Sequence, residues 1–241
     1  GIEGGSDLGQ TVYAVTAGGS SYQAIHNVWI AYGAIIENAT GGSGSDILIG
    51  NEADNILNGG AGDDVFTGGA GNDTFIIDRA SEINSVMEAA DEGVDTVVLA
   101  FSGANVAIDL SALPNVENLQ VSGDGNFTLV GNAEDNTLLG NTAANTFYGG
   151  AGNDTLDGKG GADTLVGGLG DDLYDIDNIQ DILVEAADEG NDTVRLNIAT
   201  AGLNYTLAEH VENAVVTSKG TINLIGNSEN NTLQGNAASN R

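Results

Sequence analysis

The chain contains no cysteine, one proline, two histidines and only five basic residues in 241, and it has no run of about eighteen apolar residues. Each shortage excludes something. Without thiols there is no disulfide, zinc–thiolate centre or cysteine nucleophile. Arg79, Lys159, Arg195, Lys219 and Arg241 stand too far apart in the sequence to displace the counterions of a nucleic acid or to hold an anionic membrane, so neither is expected as a partner. No helical membrane span and no basic-then-apolar leader is legible. His26 and His210 lie in unrelated contexts without an HExxH pair, which leaves no zinc protease centre, and no catalytic residue is assigned.

Acid and glycine are abundant. Thirty-five Asp and Glu face five Lys and Arg, giving a formal charge of −30, and there are 37 glycines. Such a charge repels itself in a compact chain and calls for a counter-charge.

The glycines fall into a period. Residues 41–76 divide into four nine-residue units, GGSGSDILI, GNEADNILN, GGAGDDVFT and GGAGNDTFI. Residues 131–175 give five more, and a further array begins at Gly226 with GNSENNTLQ. Position eight is Leu48, Leu57, Phe66, Phe75, Leu138, Phe147, Leu156, Leu165, Tyr174 or Leu233, large and mostly apolar each time. A helix does not repeat at nine. Glycines at positions one, two and four permit a tight turn over six residues, and the last three residues make a short strand that points position eight inward. Three residues cannot bury a core alone, so the units must stack. The expected fold is all-β: a right-handed parallel β-roll, or β-solenoid, with two units per coil and unit i stacked on unit i+2.

GGAGNDTFI (68–76) and GGAGNDTLD (149–157) resemble the GGxGxDxUx nonapeptide of RTX, or hemolysin-type, calcium-binding proteins. Residues 28–76, with VWIAYGAIIENATGGSGSD at 28–46, resemble the start of the C-terminal β-roll domain of serralysin-type secreted metalloproteases. The spacer at 178–194 is similar to those of large RTX adhesins. The resemblance implies several bound Ca²⁺ ions, a type I export route and an extracellular or cell-surface location. Calcium takes six to eight oxygen ligands, and the turns offer both carboxylates and carbonyls. The expected ligands are Asp46 facing Asp64, and Asp154 facing Asp172, with Gly42, Gly44, Gly60, Gly62, Gly69, Gly71, Gly150, Gly152, Gly168 and Gly170 turning carbonyls to the ion. Asp73 and Asp163 stack on Asn55 and Asn145, which makes weaker or empty sites. Asp95 and Asp192 extend the rule into the spacers. Asn55, Asn136, Asn145 and Asn231 are expected to cap their turns without metal. Glu88, Asp91, Glu92 and their counterparts Glu185, Asp188 and Glu189 read as solvated turn residues, with a ligand role as the alternative. No EF-hand loop is present.

The segments between arrays repeat as well. VMEAADEGVDTV (86–97) recurs as LVEAADEGNDTV (183–194), so a supermodule of about 95 residues is duplicated and the solenoid is expected to run on through the spacers. The expected organisation is a lead-in at 1–40 capping the roll, a first array at 41–78, a spacer at 79–130, a second array at 131–177, a spacer at 178–225 and the start of a third array at 226–241. The chain reads as a piece of a larger secreted bacterial protein, a calcium-binding module that folds outside the cell. An adhesive or structural stalk, or a surface-layer segment, is the alternative. Self-association and adhesion targets stay open.

Overall fold

In the computed structural model, residues 38–240 are described; the lead-in expected before Asn38, with His26 and most of the 28–46 stretch, lies outside them. The chain divides into two units, Gly1–Phe101 and Ser102–Arg241.

In the first unit seven short strands follow one another: β1 (Asn38–Thr40), β2 (Ile47–Ile49), β3 (Ile56–Asn58), β4 (Val65–Thr67), β5 (Thr74–Ile77), β6 (Val86–Met87) and β7 (Thr96–Leu99). Odd strands pair only with odd and even only with even, always parallel. The two resulting sheets face each other across the coil. The register sets Leu48 on Phe66 and Leu57 on Phe75, position eight on position eight. Those four side chains have at most 1% of their surface exposed. Burying each is worth about 1.5–3 kcal/mol. Phe66 and Phe75, from opposite sheets, meet edge to face with ring centroids 6.0 Å apart. The residues at positions seven and nine, Ile56 and Asn58, Val65 and Thr67, Thr74 and Ile76, flank the buried residue and are more exposed, the alternation that a strand imposes.

The second unit repeats the scheme. Its strands are β8 (Val106–Asp109), β9 (Asn118–Val121), β10 (Phe127–Val130), β11 (Thr137–Leu139), β12 (Thr146–Ala151), β13 (Thr155–Asp157), β14 (Thr164–Leu169), β15 (Leu173–Ile176), β16 (Ile182–Val184), β17 (Thr193–Leu196), β18 (Leu203–Thr206), β19 (Asn213–Val216), β20 (Ile222–Ile225) and β21 (Thr232–Gln234). One sheet runs β9-β11-β13-β15-β17-β19-β21, another β8-β10-β12-β14-β16, and β18 pairs with β20. All are parallel. Each unit is a parallel β-solenoid, and its spacers are wound into the same coils by β6, β7, β9, β17 and β19.

Position eight is buried at Leu138, Phe147, Leu156, Leu165 and Tyr174, but Leu233 is 41% exposed. Its strand, β21, has β19 as its only neighbour among the described residues, so nothing covers the side chain. Two short 3₁₀ helices, Ala80–Ser85 and Leu110–Ala112, lie in the first spacer. Among the described residues no helix is long and apolar enough to cross a membrane.

Candidate metal centres in the glycine turns

The stacking of alternate units fixes where each position-six side chain lies. Strand register brings residues 18 apart together, and the carboxylate of one coil reaches the backbone of the coil before it. Asp46 N–H donates to Asp64 Oδ1 at 2.7 Å, Asn55 to Asp73, Asn136 to Asp154, Asn145 to Asp163, and Asp154 to Asp172. All the partners expected in the arrays are therefore neighbours. In the spacers Asp73 N–H reaches Asp95 Oδ1 and Asp172 N–H reaches Asp192 Oδ1, both at 2.8 Å. The contact runs from backbone to carboxylate, so one oxygen of each acid is used before any metal is considered.

The second oxygen separates two kinds of turn. In the turns ending at Asp64, Asp73, Asp154, Asp163 and Asp172, Oδ2 is buried and has no hydrogen-bond partner. In these five turns positions two and four have positive φ: Gly60 and Gly62, Gly69 and Gly71, Gly150 and Gly152, Lys159 and Gly161, Gly168 and Gly170. That conformation is the natural province of glycine. In two of these turns the position-two N–H bonds away from the acid: Gly60 N–H to Asn58 Oδ1 and Lys159 N–H to Asp157 Oδ1. The carboxylate lies so close to position one that a Cβ at Gly59, Gly149 or Gly158 would collide with it.

The remaining turns close on themselves. Asn51, Asn132 and Asn227 N–H groups donate to the side-chain oxygens of Asn55, Asn136 and Asn231 at 2.7–2.8 Å. The amides of Asn136, Asn145 and Asn231 donate in turn to Asn132, Asn141 and Asn227. Asp46 behaves like these asparagines, since its Oδ2 accepts from Gly42 N–H at 2.6 Å. Gly42 and Gly44, unlike the residues at positions two and four of the five open turns, do not have positive φ.

A buried carboxylate oxygen with no donor is costly unless the group is protonated or a cation is supplied. Burial accordingly pushes Asp154 and Asp163 up to about 7, and Asp73, Asp172 and Asp192 to about 6; Asp64 is also raised, again by burial first. No basic side chain relieves them. Among the described residues Arg79 pairs with Asp63 and Asp78, Lys159 with Asp157 and Arg195 with Asp175. Orphaned hard oxygen beside backbone carbonyls is a donor set that suits calcium.

Two clusters gather three acids each: Asp73 with Glu88 and Asp95, and Asp172 with Glu185 and Asp192, their oxygens within 4.8 Å of one another. Glu88 and Glu185 are thus not the solvated turn residues expected from sequence. Burial pushes them up to about 8 and 9. Asp91 and Asp188 are exposed at positive φ, as solvated turn residues would be. Three acceptors escaped notice. Glu82 takes the Asp64 N–H at 3.2 Å, Asp181 the Asp163 N–H at 3.1 Å, and Glu212 the Asp192 N–H at 2.8 Å. Glu82 and Asp181 lie 18 residues beyond their donors, so the array spacing itself, carried one step further, points to both.

Residues 40–75, 121–156 and 139–174 match the family model of the RTX calcium-binding nonapeptide repeat. A sequence comparison with curated proteins gave no match. Glycine turns with orphaned acids, parallel coils and that match agree: residues 40–75 and 121–174 are RTX calcium-binding nonapeptide repeats, a motif whose ligand is Ca²⁺.

Proposed function

We propose that this chain is the calcium-dependent folding and stabilising module of a secreted bacterial protein, exported unfolded and wound up outside the cell. The observation that carries the reading is the set of five buried carboxylates, each with an oxygen that no protein group satisfies. Calcium, when bound, supplies a double positive charge and six to eight coordination positions for oxygen. The chain's own part is to hold Asp46 against Asp64 and Asp154 against Asp172, with Asp73 and Asp163 at weaker positions beside Asn55 and Asn145, and Asp95 and Asp192 at the spacer turns. The carbonyls of Gly60, Gly62, Gly69, Gly71, Gly150, Gly152, Gly168 and Gly170 would complete the shell; Gly42 and Gly44, expected to do the same, sit in the turn that Asp46 closes itself.

A chain at −30 repels itself when compact, and coupling metal uptake to folding turns that repulsion into a switch. Low internal calcium keeps it extended for export; external calcium, in the range of about 10⁻⁴–10⁻³ M to which extracellular modules are tuned, folds it. In this reading the arrays at 41–78 and 131–177 carry the metal turns, the spacers at 79–130 and 178–225 set their spacing, and the start of the third array at 226–241 is closed by its own asparagines. Catalysis, if the parent has any, belongs to another part of it; the stretch at 28–46 favours a secreted protease. Duplication of the acidic cluster, Asp73–Glu88–Asp95 against Asp172–Glu185–Asp192, favours a second reading, a stalk or adhesive segment built from repeated supermodules.

The test is refolding from denaturant in chelator and in calcium, followed by far-UV circular dichroism. The chelated chain is expected to stay largely disordered, and calcium to restore β-structure cooperatively. Equal spectra and equal melting temperatures in both would overturn the proposal.

A further inference from the structure

The second spacer sends an acid back into the last turn of the second array. Glu185 follows β16, is 9% exposed, and neither of its oxygens has a hydrogen-bond partner. Asp172 Oδ2 and the Tyr174 hydroxyl, on side chains 2% and 0% exposed, have none either. These atoms crowd round one glycine: a Cβ placed on Gly167 would strike the Tyr174 hydroxyl, Asp172 Oδ2 and Glu185 Oε1 together. Asp192, 1% exposed, contributes the third carboxylate, within 4.8 Å of the other two.

Two of the three acids cannot swing apart to relieve their repulsion. Asp172 Oδ1 is fixed by the Asp154 N–H at 2.7 Å and Asp192 Oδ1 by the Asp172 N–H at 2.8 Å. The one basic side chain nearby in sequence, Arg195, is engaged by Asp175. Fixed, desolvated carboxylates with unused oxygens demand a cation of high charge density, and all-oxygen donors select a hard one.

We infer that Asp172, Glu185 and Asp192 form a site for one divalent calcium-class cation in which the glutamate is supplied by the spacer and by no nonapeptide position. It rests on reading the position-six aspartates as calcium ligands, and adds that the ion ties the spacer to the array. The phenol of Tyr174 distinguishes this site from its counterpart in the first unit. There Asp73, Glu88 and Asp95 gather in the same way, but Phe75 holds position eight and Gly68 N–H donates to Glu88 Oε1 at 2.7 Å.

Native mass spectrometry across a titration of free Ca²⁺ tests this by counting ions on the wild type and on Glu185→Gln. The variant is expected to lose one ion, or to need about tenfold more calcium to load it, affinity in such sites following the ligands' charge; the other ions should load as before. A variant that carries the same number of ions at the same midpoints overturns the spacer site and leaves the array sites standing. A wild type that retains no calcium overturns both. Should Glu185→Gln not refold, hydrogen exchange on the wild type decides. Residues 178–192 are expected to become protected only as the last ion of the second unit loads; protection already complete before that point overturns the site.

Discussion

The asparagine turns and the aspartate turns of this solenoid trace nearly the same path and end in opposite conditions. At 131–136 the position-six Asn136 takes the Asn132 N–H and gives its own amide to Asn132 Oδ1, so the turn is finished by its own side chains. At 149–154, on the next coil of the same sheet, Gly150 and Gly152 sit at positive φ and Asp154 keeps a buried oxygen that nothing meets. The difference is more than amide against acid. Asp46 has the acid without the left-handed glycines, and its carboxylate is satisfied by Gly42 N–H. Backbone conformation at positions two and four of the array turns therefore accompanies whether the side chain closes its turn or leaves it open, and among the described residues the open turns all end in aspartate.

The largest effect expected from this contrast is a dependence on pH that calcium abolishes. Burial raises the acids of the open turns and spacers to between about 6 and 9, against about 4 in an unfolded chain. Groups raised on folding stabilise the fold fully below their unfolded values, and that contribution is lost as pH climbs through the folded ones. In chelator the β-structure that circular dichroism detects should therefore be greatest near pH 5 and fall as the pH is raised toward 9, and in saturating calcium that slope should vanish or reverse. Chelated β-structure that grows with pH would show that the acids are already compensated.

Exchanging the two kinds of side chain is the next sharpest probe. Asp172→Asn keeps a turn-forming acceptor but removes a charge, and should raise the calcium midpoint for folding about tenfold while leaving the saturated fold intact. Asn145→Asp, beside Asp163, should lower it. Calcium titrations followed by circular dichroism measure both; two unmoved midpoints would mean that position six does not hold the metal. The smallest effect separates the backbones. Gly152→Ala forces a side chain into positive φ against the carbonyl of Glu134 and should cost at least about 1–2 kcal/mol. Ala143→Gly, at the same position of a closed turn, should cost about 0.5–1 kcal/mol through chain entropy alone. Denaturant melts in saturating calcium would compare them.

Much of this was legible in the residues because a nine-residue period leaves the chain little choice. Once position eight must be buried and three-residue strands must pair, the 18-residue step follows, and with it the neighbours of Asp64, Asp73, Asp154, Asp163 and Asp172. The spacers are harder because their loops change the step. Asp73 meets Asp95 at 22 residues and Asp172 meets Asp192 at 20, so no fixed offset carries Glu88 or Glu185 to its place. Their burial depends on how a loop of irregular length folds over the preceding turn, which composition does not disclose. Nor did the glycine pattern separate Asp46, whose turn has Gly42 and Gly44 in the right places but not in the left-handed conformation.

The bonds that the position-six acids receive from the coil before them all point one way, against the strand ladder, whose N–H groups point back. Asn136, Asp154, Asp172 and Asp192 form a line in which each N–H is received by the next acid along the chain, ending at Glu212. Each of these coils is thus held from both sides: its successor's acid takes its buried position-six N–H, and its own carbonyl takes the first strand N–H of that successor, as Asp154 takes that of Leu173. Cutting the solenoid after such a coil bares a buried donor at position six, and cutting before one bares a donor on its strand. An end made at any of these coils therefore needs a cap of its own, because neither face is complete without a neighbour.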